Sequence, residues 1–186
     1  AAQKLSVFSM LAFDTSIGTD AFLIEGIRDI EDIDFRFADR FGFTLKHLCI
    51  GHDRGDQVEL RAHPALIPKN SVLANVDGVL NGVFLMGRAL GPCLLVGRGA
   101  GDMPTAVSVV ADIVDVASSR IHGESGLATR GIQIRSRPVM SPDAIETRYY
   151  LRFGVGDHPG VLGRIASALG SQGVSIEQMV QEGRAS

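Results

Sequence analysis

Two glycine-rich turns carry the residue types best suited to meet a small ligand. The first, Gly97-Arg98-Gly99-Ala100-Gly101-Asp102, joins an apolar run to a helical pattern. Glycines let the backbone approach a ligand closely, and a helix start leaves N–H groups unpaired. From spacing alone the stretch is either a loop that touches a cofactor or a tight turn. It is not the dinucleotide fingerprint, because Gly97 and Gly99 would need a third glycine where Asp102 stands. It is not a P-loop either, since no Gly-Lys-Ser/Thr follows. Asp102 suits a helix start but is a poor neighbour for a pyrophosphate. The second turn is Asp157-His158-Pro159-Gly160-Val161-Leu162. Pro159 pre-sets a helix start and Gly160 keeps the backbone open, so the N–H groups of Val161 and its neighbours can meet a small carboxylate. Asp157 can cap the helix or receive an ammonium group. A helix start with no ligand fits the same residues.

Other chemistry-bearing side chains are scattered. By itself Lys4 reads as a solvated cation on a helix, and Glu25, before Gly26, as a turn residue. The five histidines (His47, His52, His63, His122 and His158) form no HxH or HExxH pairing, so no metal site is expected. No GxSxG motif is present. Asp29, Glu31, Asp32 and Asp34 crowd one segment, where they suit a helix N-terminus and its solvent face.

The elements that must position these residues follow from periodicity. Leu5, Phe8, Leu11 and Ala12 predict a helix over 3–13, already under way at the first residue. A polar break over 14–20 leads into a short strand or turn over 21–27. Asp29 is placed to cap a helix over 30–41, with Gly42 as its stop. Residues 43–50 and 57–62 alternate as the strands of a hairpin, and His63–Pro68 breaks the pattern. A short helix near 71–74 precedes strands over 79–86 and 92–96. Residues 102–119 form a helix apolar on all sides, which predicts that it is sandwiched between layers. Residues 123–147 have no periodicity and read as a connector, with a hint of a strand in 131–135. The pattern then resets as strand (149–155), helix and strand (174–180).

The chain of 186 residues has 45% hydrophobic and 21% charged residues, which is ordinary globular composition. A net charge of −3 with no basic stripe and no Trp argues against a nucleic-acid binder. No apolar run approaches the ~20 residues of a membrane span. No basic n-region precedes an apolar run, so no signal peptide is expected. The two cysteines, Cys49 and Cys93, lie in apolar segments and read as buried reduced thiols, which fits a cytoplasmic setting.

Several of these stretches together resemble one family. Tyr149–Val180, with its D-x-P-G-V-L turn and closing GVSIEQMVQ run, is similar to the first strand–helix–strand of an ACT domain. Residues 4–119 resemble the substrate domain of homoserine dehydrogenase. The matching stretches are Lys4-Leu5 with the apolar helix after it, IEGI at 24–27, and the Asp34…Ala38…Gly42 helix. HPALIPKNSVLANVDGVLNGV at 63–83 and GRGAGDMPTAVSVVADIVD at 97–115 complete the set.

The resemblance implies an α+β fold with helices packed on a mixed, largely antiparallel sheet, followed by a partial ACT (ferredoxin-like βαβ) unit. The expected organisation is a substrate-binding and dimerisation domain over 1–122, a connector over 123–147 and a partial ACT regulatory domain over 148–186. The family's N-terminal Rossmann domain is missing from this sequence, so the chain alone is expected to be inactive. The implied reaction interconverts aspartate β-semialdehyde and homoserine with NADP or NAD, in threonine, methionine and isoleucine biosynthesis. Lys4 aligns with the family's catalytic lysine and would act as general acid. Gly99, Ala100, Gly101 and Thr105 would close over the nicotinamide side. Asp157, Pro159, Gly160 and Val161 would bind an amino-acid effector, threonine by family analogy. The implied assembly is a homodimer or higher homo-oligomer, with no nucleic-acid or membrane partner. A competing reading is a non-catalytic amino-acid sensor in which 1–122 serves only as a dimerisation platform; a third is a scaffold whose glycine loop is only a turn.

Overall fold

Leu5 and Ser9, one turn apart, are the inward positions of the first helix, Ala2–Phe13 (α1), in the computed structural model, which describes residues 1–123 and 133–182. The helix stops where Asp14 takes a left-handed conformation (φ 52°). Ser9 is fully buried, yet its hydroxyl lies 2.7 Å from the Ser6 carbonyl and 2.9 Å from that of Thr15. The polar break after α1 thus folds back onto the helix and satisfies its buried hydroxyl.

Chain direction then reverses through a single 3-10 turn (Thr19–Ala21) into the two-residue strand Leu23–Ile24 (β1). The next helix, Asp32–Arg40 (α2), starts later than Asp29 would have it. Its first free donor is instead served from inside the helix, where Asp34 Oδ2 accepts the Glu31 N–H at 2.9 Å. Gly42, at φ +81°, ends α2 as expected and donates its N–H to the Asp39 carbonyl.

Phe43–Asp53 (β2) and Val58–Pro68 (β3) form an antiparallel hairpin in register from Asp53 opposite Val58 to Phe43 opposite Pro68. The second strand therefore does not end at Ala62. It runs on through Pro64 because β1, parallel to β3, ends opposite Ala62. Past that point one edge of β3 has no neighbour, and a proline there forfeits no ladder bond. The sheet order is β1-β3-β2. A second hairpin, Leu80–Gly87 (β4) with Gly91–Arg98 (β5), is a separate two-stranded sheet. Lys46 of β2 holds the segment that leads into β4: its ammonium donates to the Val76 carbonyl (2.9 Å) and pairs with Asp77.

The core gathers Leu5, Ile17, Phe22, Val58, Leu60 and Ala62, with Ala2, Phe13 and Val139 packed against it. Val139 comes from the aperiodic stretch. Its described part, 133–147, lies along the first domain. Arg135 bridges Thr15 and Val139 bridges Val58, with the Val58 N–H on the Pro138 carbonyl and the Met140 N–H on the Val58 carbonyl. Within the strand hinted at over 131–135 only Arg135 makes a bridge, and residues 131–132 lie outside the described residues.

The long helix Asp102–His122 (α3) forms as expected, but it is not sandwiched: none of its residues is buried. Val107 and Val114 are 61% and 60% exposed. The described residues of one chain do not supply the two layers that an all-round apolar helix calls for. Leu85, Met86, Leu95 and Val96 of the second hairpin are exposed as well. The last helix is Val161–Ser171 (α4). The stretches flanking it, 149–155 and 174–180, were expected as strands but carry no ladder. In a split βαβ unit the two strands are not adjacent, so neither can hydrogen-bond the other. Arg148 and Glu177 bridge the interval with a 3.3 Å ion pair. The whole is α+β, with one mixed sheet and one antiparallel hairpin.

Candidate functional site

Lys4 stands exposed on the first turns of α1, the helix that packs on β2 and β3. Its charge reaches the sheet at Cys49. There partial desolvation pushes the thiol pKa up, while Lys4 pulls it back down. Cys49 faces Ala62 across the hairpin, and the Ala62 carbonyl accepts the Glu25 N–H at 2.8 Å. The Glu25 carbonyl lies 2.9 Å from His47 Nε2, a contact that needs the proton on that nitrogen. Glu25 is thus held on the β2–β3 hairpin, at Ala62 of β3 and His47 of β2. Gly26, Ile27, Arg28 and Asp29, which follow it, line an open depression of their own. Neither thiol is buried as the sequence suggests: Cys49 is exposed, and Cys93 is half-buried on a hairpin that contributes no residue to the core.

The glycine loop sits on the other sheet. Gly101 is the N-cap of α3 at φ +113°, which only glycine adopts without strain. Thr105 uses both its donors on the Gly101 carbonyl, the hydroxyl at 2.8 Å and the N–H at 3.1 Å. Its hydroxyl oxygen keeps acceptor capacity. Asn81, opposite Gly97 in the β4–β5 ladder, lies beneath Gly99. A Cβ on Gly99 would fall 2.5 Å from the Asn81 amide nitrogen. Sequence reasoning missed Asn81; its one signal was a carboxamide standing in an otherwise apolar strand.

At the second turn, Gly160 is the N-cap of α4 at φ +86°. Pro159 stands one residue before the cap rather than in the first helical turn. The Val161 N–H is already engaged by the His158 carbonyl at 3.3 Å, so the donors left for a ligand are those of Leu162 and Gly163. The His158 ring folds over Gly156, where a Cβ would meet it at 3.0 Å.

Two buried carboxylates also organise the molecule. Glu59, 1% exposed, is gripped by Arg54 (Nη2 2.6 Å), His52 (3.1 Å) and Arg61 (3.3 Å); burial alone would raise its pKa, but these partners hold it below the ordinary range. Asp34, expected on a solvent face, is 3% exposed. Its Oδ1 accepts from the Tyr150 hydroxyl (2.8 Å) and from Arg152 Nε (2.9 Å), and Arg152 also reaches Glu31 at 2.9 Å. Burial pushes Asp34 up, and the Glu31 N–H, Tyr150 and Arg152 together bring it below its usual value. Among the described residues no three His, Cys, Asp or Glu side chains converge as a metal set requires. No described helix is long and apolar enough to cross a membrane.

Comparison with known proteins adds to this geometry. The homoserine dehydrogenase family profile matches residues 1–114, and the ACT domain profile matches residues 149–184. The chain is 40% identical over 187 residues to the homoserine dehydrogenase of Neisseria gonorrhoeae, covering 98% of this chain and 43% of that protein. It is 39% identical over 186 residues to that of Pseudomonas aeruginosa, with coverage of 98% and 43%. A crystal structure of a homoserine dehydrogenase from Thiobacillus denitrificans superposes with a TM-score of 0.80 at 35% identity, over 97% of this chain and 43% of that one. That of S. aureus superposes with a TM-score of 0.58 at 31% identity, over 63% and 30%. The chain thus spans less than half the length of the curated relatives it matches.

Proposed function

The chain belongs to the homoserine dehydrogenase family, and we propose that it forms the substrate and regulatory part of an NAD(P)-dependent enzyme interconverting aspartate β-semialdehyde and homoserine. The observation that supports this most strongly is a match along 98% of the chain to homoserine dehydrogenases, in one unbroken order. The loop at Gly99–Gly101 fits the nicotinamide end of a dinucleotide. It offers bare peptide on a backbone that only glycine allows, with a helix start behind it. It does not fit the phosphate end, because Asp102 puts negative charge in the first turn of α3.

When bound, the dinucleotide supplies or accepts the hydride. Lys4 holds a proton at Nζ and gives it to the substrate oxygen as alkoxide charge develops there, a general-acid role with a typical gain of roughly 10²–10⁴-fold. In the reverse direction the same amine takes that proton back. Gly99, Ala100 and Gly101 would close over the nicotinamide side, and Thr105 holds the Gly101 carbonyl.

The Asp157–Val161 turn takes an amino-acid effector, with threonine as the assigned ligand. Leu162 and Gly163 N–H groups receive its carboxylate and Asp157 its ammonium. A second copy of the chain covers α3 and the β4–β5 hairpin, whose exposed apolar side chains support a homodimer or a larger homo-oligomer. A cytoplasmic location belongs to the same proposal.

Kinetics of the full-length enzyme test it. Lys4→Ala is expected to lower kcat by at least ~10²-fold with the fold intact. Asp157→Ala is expected to relieve threonine inhibition with uninhibited turnover unchanged. Wild-type turnover in the first variant removes Lys4 from the mechanism. Threonine binding by a full-length protein without any dehydrogenase activity would turn the assignment to an amino-acid sensor.

A further inference from the structure

Helix α2 is held from the C-terminal unit at both ends. At its start Tyr150 and Arg152 grip Asp34, and Arg152 also pairs with Glu31. At its end Arg40 pairs with Glu182. Asp34 uses its other oxygen on the Glu31 N–H, the residue that closes the 25–31 loop. The opposite end of that loop is pinned by Glu25, between the Ala62 carbonyl and His47. Further backbone ties are the Ile30 N–H on the Ile27 carbonyl, at 3.2 Å, and the Asp34 N–H on the Glu31 carbonyl, at 2.9 Å.

From these contacts we propose that Asp34 is a positioning residue through which docking of the 148–152 segment orders the 25–31 loop on the substrate half. One carboxylate joins the two halves. Its Oδ1 reads whether Tyr150 and Arg152 are in place, and its Oδ2 holds the loop's last amide. A buried carboxylate deprived of those partners keeps its desolvation cost, so it turns toward water and releases the Glu31 N–H. The last loop residue, Glu31, then keeps only its own carbonyl and carboxylate on the Asp34 N–H, and residues 26–30 lose the clamp that ran through the Glu31 amide. An effector that shifts the 148–182 unit would act on the substrate half by this route, without contacting it. The inference rests on the assignment of Lys4 and of the Asp157 turn.

The test is amide hydrogen exchange on the full-length enzyme, comparing wild type with the double variant Tyr150→Phe/Arg152→Met. Exchange over residues 26–31 is expected to quicken by at least ~10-fold, with the β2–β3 amides unchanged. In the same variant KM for the aldehyde is expected to rise more than kcat falls, since positioning and not proton transfer is lost. Asp34→Asn, which keeps an acceptor for Glu31 but loses the charge for Arg152, is expected to lie between the two. Unchanged loop exchange in the double variant overturns the proposal. An equal rise across β2 and β3 overturns it too, because Asp34 would then serve the fold as a whole. Failure of threonine to inhibit the wild type strikes the effector assignment instead, and the exchange measurement still decides the role of Asp34.

Discussion

Asn81 and Gly99 are in contact across the β4–β5 hairpin so closely that any side chain at 99 would collide with the carboxamide: a Cβ there would lie 2.5 Å from Nδ2 and 2.9 Å from Cγ. Gly99→Ala is therefore expected to push the loop away from Asn81 rather than to unfold the protein, since β4 and β5 keep their ladder. Cofactor affinity of the full-length enzyme should fall by roughly 10-fold or more, and Gly99→Ala/Asn81→Gly should recover most of it, as coupled neighbours do. Titration of cofactor fluorescence in the three proteins measures this. Equal affinities would leave the loop a simple turn.

A second prediction concerns the connector. Arg137 pairs with Asp53 and donates to the carbonyls of Gly55, Gln57 (3.1 Å) and Phe13 (3.4 Å), which locks the β2–β3 turn to the end of α1. Its own side chain is 15% exposed, whereas Asp53 is 55% exposed and leaves that pair open to water. Arg137→Met should destabilise the chain by about 1–2 kcal/mol, since the carbonyl bonds count in full and the water-exposed ion pair adds little. Urea unfolding reads the change as a lower midpoint at constant slope. A shift within about 0.5 kcal/mol would mean that the strap only lies against the surface.

Much of the first domain is legible in its sequence. The helices, the two hairpins and the Gly42 stop follow from local periodicity and turn chemistry, because each depends on neighbours close in the chain. Pro64 misleads because its tolerance depends on where β1 ends, a fact about another strand. Asp34 misleads because its burial is created by Tyr150 and Arg152, more than a hundred positions away. Arg137 is invisible for the same reason: Asp53 lies more than eighty positions away, and its other partners are carbonyls, which no side-chain pattern displays. Of the candidate site, the two glycine turns were readable as backbone, whereas Asn81 beneath one of them and the engaged Val161 N–H in the other needed coordinates.

A third prediction follows from the Asp34–Tyr150 pair. Burial, with Asp34 beside it, pushes the Tyr150 hydroxyl up to about 12. A group whose pKa is raised on folding adds stability below its unfolded value, about 10 for tyrosine, and loses it as pH climbs through the folded value. Stability should therefore fall between pH 10 and about 12, and Tyr150→Phe should remove that part of the slope. Asp34 works in the opposite direction. Its pKa is lowered on folding, so its contribution is present above roughly pH 4 and disappears as pH drops through the folded value. Thermal melts of both proteins across the two limbs measure this. An identical alkaline limb in Tyr150→Phe would show that the phenol titrates freely.

The last prediction turns on α3. Val107, Val110 and Val114 form a stripe along one side of the helix, and each is more than half exposed in the single chain. A carboxylate placed on an exposed helix position ordinarily changes stability by no more than about 0.5 kcal/mol. If a second copy covers that stripe, the same carboxylate is buried without a partner and becomes far more costly. Val110→Asp should accordingly leave the far-ultraviolet circular dichroism of the full-length protein unchanged while converting dimers to monomers in sedimentation at micromolar concentration. Val110→Leu, which keeps the surface apolar, should remain dimeric. Asp112 and Asp115 on the same helix already carry charge, so a wild-type assembly state in Val110→Asp cannot be attributed to a helix that rejects acids. That result would place the dimer contact elsewhere and leave the α3 stripe exposed to solvent.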